Sequence, residues 1–326
     1  MIKKKVSDRL SFLEHTPRRE TISIVPIPLD LGSDNGDDIA GGPGYLLDLG
    51  LESALEGAGL NTRLLPENFA SKKHLKNGHK GKHDLIDDLT KVLAVIRDVV
   101  HGEVAKGNLV VSLGGDHALS IGTIAGASAA LKGDLGVIWI DVHGDIHTHA
   151  TSLSQNPHGM SVTAIMGLGD KRLTGLVSHK IKKQNVLAAG YRDLEQGEID
   201  TIRANKISTV TMHDIASYGL SPLYDAVARL KKKTKNIWVS LDLDSIDGSV
   251  APASAMASPG GFTHREIVSL LTHIGKVCNV VGLDVVELTP SKDIENKTSM
   301  LAFELIAAAF GAKFNWYTKY MSAYAY

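Results

Sequence analysis

Short apolar segments alternate with amphipathic segments along most of the 326-residue chain. Apolar runs that are rich in β-branched residues and lack a polar alternation are typical of strands buried on both faces of a parallel sheet. Such runs predict strands at 21–29, 61–65, 108–113, 136–140, 185–189, 207–212, 237–241 and 280–286. Apolar side chains at helical spacing predict helices at 45–56, 84–106, 161–166, 221–231 and 300–310.

The order of these elements predicts the fold class. Strands that alternate with helices, at about 30 to 50 residues per unit, indicate an α/β fold with one parallel sheet covered on both faces. The chain contains no internal repeat and no linker long enough to divide it. We therefore expect one domain over residues 21–326, preceded by an N-terminal extension over residues 1–20.

Composition narrows the class of partner. The chain has 35 Lys and Arg residues against 36 Asp and Glu residues, so no basic field favours nucleic acid, and a small-molecule partner is expected. No apolar run approaches the roughly 20 residues that span a membrane. Cys278 is the single cysteine, which excludes an internal disulfide and a cysteine-based zinc site. These features predict a cytoplasmic protein. The basic segment 71–83 contains three histidines and is interpreted as a solvated loop.

Three of the predicted strands are followed by side chains that commonly bind metal ions. These candidate ligands are His117, Asp141, His143, Asp145, Asp242 and Asp244. Asp141, His143 and Asp145 are spaced by two, so an extended backbone would project their side chains from one face. Each residue alone could instead be a turn or capping residue. Because the carboxyl ends of parallel strands share one sheet edge, we expect all six to meet there.

Four carboxylates and two imidazoles in one place indicate a pair of divalent cations. Closely spaced negative charges are unfavourable unless cations neutralise them, and two divalent ions balance four carboxylates. Oxygen-rich ligation with imidazole and without thiolate suits Mn²⁺, with Fe²⁺, Co²⁺, Ni²⁺ and Zn²⁺ as alternatives. A water molecule bridging two such ions gives hydroxide near neutral pH, which favours a hydrolase.

Several stretches of the chain resemble the arginase/agmatinase (ureohydrolase) family, and its arginase branch in particular. They are PLDLG at 28–32, LGGDHALSIGTIAG at 113–126, IWIDVHGDIHT at 138–148, NPHGM at 156–160, GYRDLEQGE at 190–198, SLDLDSID at 240–247, GLDVVELTP at 282–290 and NKT at 296–298. This resemblance implies a single three-layer domain with an eight-stranded parallel sheet, two Mn²⁺ ions on the six candidate ligands, and a homotrimer or homohexamer.

The resemblance also implies residue roles and a reaction. His158 matches the histidine that serves as a proton shuttle, and Glu287 matches the carboxylate that holds the guanidinium group. A metal-bridging hydroxide would attack the guanidinium carbon, and Asp145 would accept the proton that the hydroxide sheds. The expected reaction is the hydrolysis of L-arginine to L-ornithine and urea.

The residues expected to recognise the substrate depart in part from the arginase pattern. Five residues are expected to contact the substrate: His147, Ser154, Asn156, Glu195 and Met256. His147 stands where arginases typically have Asn, Glu195 replaces a shorter Asp, and Met256 replaces a Thr within an altered loop at 248–258. The substrate is therefore left open between arginine, agmatine, a guanidino acid and another guanidine. His147 and His149 are not expected to bind metal, since six other side chains fill the site.

Two further hypotheses differ in class. A deacetylase of a related group would use one zinc ion and an amide substrate, but that group has a His-His pair that this sequence lacks. A non-catalytic arginase-like protein is the other alternative. Six intact candidate ligands argue against it, because a costly carboxylate cluster without chemistry should have lost members.

Overall fold

The described residues form eight strands in one parallel sheet, as the sequence predicts. The computed structural model describes residues 18–32, 38–67 and 82–312. The strands are β1 (Thr21–Ile27), β2 (Asn61–Leu64), β3 (Leu109–Gly114), β4 (Leu135–Ile140), β5 (Val186–Ala189), β6 (Ser208–Val210), β7 (Asn236–Asp242) and β8 (Asn279–Val286). Their order across the sheet is β2-β1-β3-β8-β7-β4-β5-β6, and all pairings are parallel.

Helices connect most of these strands. They are α1 (Gly42–Asp48), α2 (Leu51–Gly57), α3 (Lys82–Ala105), α4 (Leu119–Ala130), α5 (Ser161–Ile165), α6 (Lys171–Leu176), α7 (Gln196–Asn205), α8 (Met212–Tyr218), α9 (Ser221–Leu230), α10 (His264–Val277) and α11 (Lys297–Ala309). The prediction of one helix at 45–56 is wrong. Gly50 has a φ of 89° and separates α1 from α2, because a left-handed residue cannot continue a helix. Apart from the first residues of α3, the basic segment 71–83 lies outside the described residues.

The core consists of two apolar layers on opposite faces of the sheet. Alternate residues of a strand belong to different layers: Val111 and Leu113 pack in one layer and Val110 in the other. Helices α1, α2 and α8 to α11 contribute to the first layer, and α3 to α7 contribute to the second. Burial of both strand faces explains why the strands lack a polar alternation.

The four central strands end in register at one edge of the sheet. Leu113 of β3 pairs with Val285 of β8, Val285 pairs with Leu241 of β7, and Leu241 pairs with Ile140 of β4. Residues that follow these four positions therefore leave the sheet side by side. No helix in the described part of the chain is both long and apolar enough to span a bilayer.

Candidate metal centre

The turn between β3 and α4 places His117 at the centre of a buried cluster of carboxylates. Its Nδ1 lies 3.0 Å from Asp141 Oδ2, 3.2 Å from Asp145 Oδ2 and 3.2 Å from Asp242 Oδ2. All four residues are at most 5% exposed. The imidazole is held flat against Trp139, with the ring centroids 4.0 Å apart and the planes 11° apart. Side chains that follow the ends of β3, β4 and β7 thus meet at one nitrogen atom.

A second group of ligand atoms lies around His143. Its Nδ1 is 3.2 Å from Asp244 Oδ2 and 3.6 Å from Asp141 Oδ1. The two oxygens of Asp141 therefore face different imidazoles. Asp242 links the groups as well, because its Oδ1 accepts a hydrogen bond from the backbone N–H of Asp244 at 2.8 Å. The six predicted ligands thus form two overlapping groups that share a carboxylate.

The segment 141–145 reaches this arrangement through a turn and not through an extended strand. The strand β4 ends at Ile140, and the residues that follow are irregular. Asp145 has a φ of 47°, a left-handed conformation that Asp and Asn adopt more readily than most residues with a side chain. The backbone is therefore not extended, which was the condition for placing the three side chains on one face, but the turn still brings them together.

Both imidazoles are strongly biased towards their charged form. Burial disfavours the imidazolium of His117, but the surrounding Asp141, Asp145 and Asp242 outweigh burial and raise its pKa well above the usual value. For His143, burial is likewise outweighed by Asp141 and Asp244, and the pKa rises to about 12. The site therefore attracts positive charge.

The carboxylates are perturbed in opposite directions, as expected when several acids share a buried space. Burial and the charge of Asp141 raise the pKa of Asp145 to about 7. Burial and the charges of Asp244 and Asp141 raise the pKa of Asp242 well above its usual value. Burial also opposes the charge of Asp141, but its contacts with His117 and His143 lower its pKa below the usual range. The cluster holds more negative charge than its two imidazoles balance.

The donor set fits divalent cations. His117 Nδ1 is fully buried and makes no hydrogen bond of acceptable geometry with any residue in the described ranges, although three carboxylate oxygens lie within 3.2 Å. A buried ring nitrogen that faces several carboxylate oxygens is placed as a metal ligand would be. Two sets of three ligand atoms, His117 with Asp141 and Asp145, and Asp141 with His143 and Asp244, each lie within 4.8 Å of one another.

A buried polar network contacts the second ring nitrogen of His117, and the sequence motifs did not predict it. His117 Nε2 lies 2.9 Å from Ser240 Oγ, and Ser240 donates to Asp284 Oδ2 at 3.3 Å. The same oxygen of Asp284 accepts from Trp238 Nε1 at 2.8 Å and from Ser120 Oγ at 2.8 Å. Contacts to the second ring nitrogen fix the orientation of a ligating imidazole. One signal was visible in the sequence, since Asp284 is a lone acid within the apolar run 280–286.

Glu287 and His158 lie next to each other beside this cluster. Glu287 Oε1 accepts a hydrogen bond from the backbone N–H of His117 at 2.8 Å and lies 4.0 Å from His158 Nδ1. The Glu287 backbone has a φ of 65° and is tied to Gly115 O and to the N–H of Ala255, both at 2.9 Å. Burial and the charge of Asp116 raise the pKa of Glu287 well above its usual value. A strained, buried acid of this kind is typical of functional sites.

The five predicted substrate contacts occupy different positions on nearby loops. His147 is buried, with Nε2 3.3 Å from Glu195 Oε2 and 3.8 Å from Glu198 Oε1. Glu195 precedes α7 and its side chain is 52% exposed. Ser154 and Asn156 follow in the loop that leads to His158, and Ser154 Oγ accepts the N–H of Asn156 at 3.2 Å. Met256 is 48% exposed and follows Ala255, which is bonded to Glu287.

The chain is similar to known proteins over most of its length. Residues 20–311 match the family model described as the Arginase family. An arginase of Brevibacillus brevis is 35% identical over 298 residues, which cover 90% of this chain and 99% of the relative. The crystal structure of arginase from Bacillus cereus superposes with a TM-score of 0.82 at 31% identity, covering 91% of this chain and all of that one.

More distant structures share the fold alone. An agmatine ureohydrolase of Thermoplasma volcanium superposes with a TM-score of 0.66 at 20% identity, over 90% of this chain and 89% of that one. At this identity the likeness concerns the sheet and its helices and not the substrate. The family model and the arginase relatives each cover about nine-tenths of the sequence. The chain therefore belongs to the arginase family.

Proposed function

We propose that the chain is a binuclear metal-dependent ureohydrolase that hydrolyses L-arginine to L-ornithine and urea. The observation that carries the proposal is the meeting of six buried or half-buried side chains, two imidazoles and four carboxylates, around the shared carboxylate of Asp141. Relatives named arginase that align over nearly their whole length support arginine as the substrate.

The six side chains would hold two cations, for which we propose Mn²⁺, with Ni²⁺, Co²⁺ and Fe²⁺ as alternatives. The proposed ligands are His117, Asp141, His143, Asp145, Asp242 and Asp244. When bound, such ions would lower the pKa of a water molecule and so supply a nucleophile at neutral pH. An oxygen-rich donor set with two imidazoles and no thiolate suits these metals.

The neighbouring acids and His158 supply the remaining chemistry. Asp145 is buried among the proposed ligands, with Oδ2 3.2 Å from His117 Nδ1, so its carboxylate would be placed to accept a proton from a water molecule at this site and release it again. Glu287 is buried, and a planar guanidinium group matches the two oxygens of a carboxylate. His158 lies 4.0 Å from Glu287 and its side chain is 22% exposed, so it can exchange protons with solvent and protonate the leaving amine.

Recognition of the rest of the substrate is proposed for His147, Ser154, Asn156, Glu195 and Met256. The contact of His147 with Glu195 favours a second candidate function, hydrolysis of a guanidino compound that lacks an ammonium group, such as a guanidino acid, whereas agmatine keeps that group. A carboxylate that is already paired with an imidazole binds a substrate ammonium group less strongly than an unpaired one would. The second candidate therefore keeps the reaction and changes the substrate.

Other properties follow from the same family and composition. We propose a homotrimer or homohexamer, a cytoplasmic location and no nucleic-acid or membrane partner. The balanced charge of the chain supports the absence of a nucleic-acid partner, and its single, buried Cys278 supports the cytoplasmic location, whereas the oligomer rests on the family resemblance. We also propose that the catalytic domain spans residues 21–326 and that residues 1–20 form an extension to it.

Urea release by the Mn²⁺-loaded full-length chain tests the proposal. The substrates are L-arginine, agmatine and a guanidino acid, each compared with chelator-treated protein. We expect urea from L-arginine at the highest kcat/KM and none after chelation. If another guanidino compound is hydrolysed and arginine is not, the substrate is wrong and the reaction class stands. If none is hydrolysed, the ureohydrolase proposal fails.

Glu287→Gln provides a control for the site. The amide oxygen can still accept the N–H of His117, so the fold and metal binding are expected to persist, while the charge that holds the guanidinium is removed. The variant should keep the rise in melting temperature that Mn²⁺ causes in the wild type and lose most of the urea release. Full activity of this variant would exclude the role proposed for Glu287.

A further inference from the structure

The loop between the metal centre and His158 contains an unusual backbone position. We call residues 148–156 the rim loop, and it carries Ser154 and Asn156, which are proposed to contact the substrate. Gln155 lies between them with a φ of 61°, a left-handed conformation that a glutamine rarely adopts. A residue with a Cβ keeps such a conformation only where surrounding contacts fix it. The contacts of Gln155 therefore determine how its two neighbours are presented.

The side chain of Gln155 folds back and closes the rim loop on itself. Its Nε2 donates to the backbone carbonyl of His149 at 2.9 Å and also to that of Ser152. Its backbone N–H donates to Ser152 Oγ at 2.9 Å. Because the amide nitrogen donates to two carbonyls, the amide oxygen is the atom that faces His149, and Oε1 lies 3.0 Å from His149 Nδ1. One side chain thus joins the start of the loop to its end.

His149 connects this closed loop to the helices of the second apolar layer. Its Nε2 lies 3.0 Å from Asp170 Oδ2, at the start of α6. Asp170 is held by Arg172 through hydrogen bonds of 3.0 Å from Nε and 2.6 Å from Nη2, and Arg172 Nη1 reaches Asp87 of α3 at 2.9 Å. The hydrogen bonds from Arg172 keep the pKa of Asp170 below its usual range, so its carboxylate is charged at neutral pH. The loop is therefore attached to a charged, fixed anchor.

We infer that Gln155, His149 and Asp170 form a brace that positions the rim loop for substrate binding. The inference rests on the proposed function, because the loop matters only if Ser154 and Asn156 meet a substrate. None of the three brace residues is among the proposed metal ligands or substrate contacts. They are positioning residues: they act through the loop, and their loss should weaken substrate binding without changing the chemical step.

Steady-state kinetics of three variants of the Mn²⁺-loaded full chain test the brace. Gln155→Gly relieves the backbone strain and removes the side-chain contacts of Gln155. His149→Ala removes the contacts to Gln155 and to Asp170. Asp170→Asn weakens the contact with His149 while it keeps an acceptor for the backbone N–H of Arg172. We expect each to raise KM for L-arginine about five- to ten-fold, the loss expected for one typical hydrogen bond, with kcat within about two-fold. The control is His179→Ala, an exposed histidine outside the loop, which should leave both constants unchanged.

Coupling between the residues gives a second readout. If one brace connects them, the double variant His149→Ala with Gln155→Gly should raise KM no more than the larger single effect. Independent structural roles would instead multiply the two effects, which would overturn the brace. A gain of stability in Gln155→Gly with KM unchanged would also overturn it, because the strain would then serve no purpose.

Amide hydrogen exchange separates failure of the brace from failure of the proposed function. Exchange of residues 148–156 should become faster in His149→Ala and Gln155→Gly, while the β4 and β7 amides stay protected. Unchanged exchange together with unchanged KM overturns the brace, and so does a lower melting temperature as the sole effect. If the wild type releases no urea from any guanidino compound, the proposed function fails, and the exchange experiment still decides whether the brace holds the loop.

Discussion

Replacing Asp145 by Asn should stabilise the metal-free protein and weaken the effect of metal on its stability. The substitution keeps the size of the side chain, and Asn tolerates the left-handed backbone at this position. It removes one negative charge from a buried cluster in which burial and Asp141 already disfavour the ionised form of Asp145. Two opposite effects on stability are therefore expected, depending on whether metal is bound.

The size of the first effect follows from the spacing of the cluster. Ligand atoms of His117, Asp141 and Asp145 lie within 4.8 Å of one another. Two like charges at such a distance repel by about 3 kcal/mol at an effective dielectric constant of about 20. The imidazole of His117 offsets part of this repulsion, and the buried amide carries its own desolvation cost. We expect a net gain of about 1 to 2 kcal/mol in the unfolding free energy of the metal-free variant.

The second effect follows from linkage between binding and folding. A metal at 100 times its dissociation constant stabilises the folded state by about 2.7 kcal/mol per site. Loss of one carboxylate ligand reduces metal affinity, so most of this increment should disappear in Asp145→Asn at the same Mn²⁺ concentration. The variant should also lose urea release, since Asp145 is both a proposed ligand and the proposed proton acceptor.

Denaturant unfolding at pH 8, with chelator and with excess Mn²⁺, measures both effects. Asp134→Asn is the matched control, because Asp134 lies outside the cluster and accepts hydrogen bonds from Lys235 N at 3.0 Å and Thr234 Oγ1 at 2.8 Å. That control should lose about 1 kcal/mol in both conditions and keep the full increment from Mn²⁺. If Asp145→Asn destabilises the metal-free protein, or responds to Mn²⁺ as the wild type does, the reasoning about the cluster is refuted.

Three other substitutions test the fold and the rim of the site. Burial raises the pKa of Glu103, but the hydrogen bonds that its carboxylate accepts outweigh burial and lower the pKa from 4.5 to about 2. The contribution of Glu103 to stability is therefore complete above pH 4.5 and is lost as the pH falls towards 2. Glu103→Gln should therefore be less stable than the wild type by about 1 kcal/mol at pH 7, with the difference closing at acid pH in a series of urea titrations. Gly115→Ala should abolish binding of Mn²⁺ in a metal-content assay or prevent folding, because the new Cβ would lie 1.7 Å from the carbonyl oxygen of Leu29. Gly44→Ala is the control: its new Cβ would have no atom within 4 Å, so folding and Mn²⁺ content should be unchanged. Met256→Thr should change KM for guanidino substrates and leave the Mn²⁺-dependent rise in melting temperature unchanged, which kinetics and thermal unfolding together would check.

The predictable part of the site is the part that depends on strand ends. An apolar run buried on both faces must stop where polar side chains begin, so His117, Asp141 and Asp242 could be assigned to one sheet edge from the sequence. The register of β3, β8, β7 and β4 then brings them together without further information. The family resemblance gave the same residues, and the number of strands that it implied is confirmed.

The parts that were missed depend on backbone turns and on side chains that return to the chain. Gly50 divides a segment whose apolar spacing predicts one helix, because its left-handed φ cannot be read from hydrophobicity. Asp145 reaches the cluster through a left-handed turn, and Gln155 bonds to carbonyls three and six residues away. Asp284 stands under His117 only because β8 lies beside both β3 and β7, which is a property of strand order and not of local sequence.

The strain and repulsion at this sheet edge are the reason that metal should act on folding as well as on catalysis. Asp145 and Glu287 both keep left-handed backbones, and Glu287 is fixed at three points, by Gly115 O, by the N–H of Ala255 and by the N–H of His117. Strained backbone conformations of this kind lower the stability of the fold unless the binding of a ligand compensates for them. The raised pKa values of Asp145 and Asp242 show that burial of several carboxylates together is a second, electrostatic source of instability in the metal-free protein. Cations that neutralise the cluster should therefore rigidify the turns after β4 and β7, and hydrogen exchange of those turns should slow when Mn²⁺ is added to chelator-treated protein.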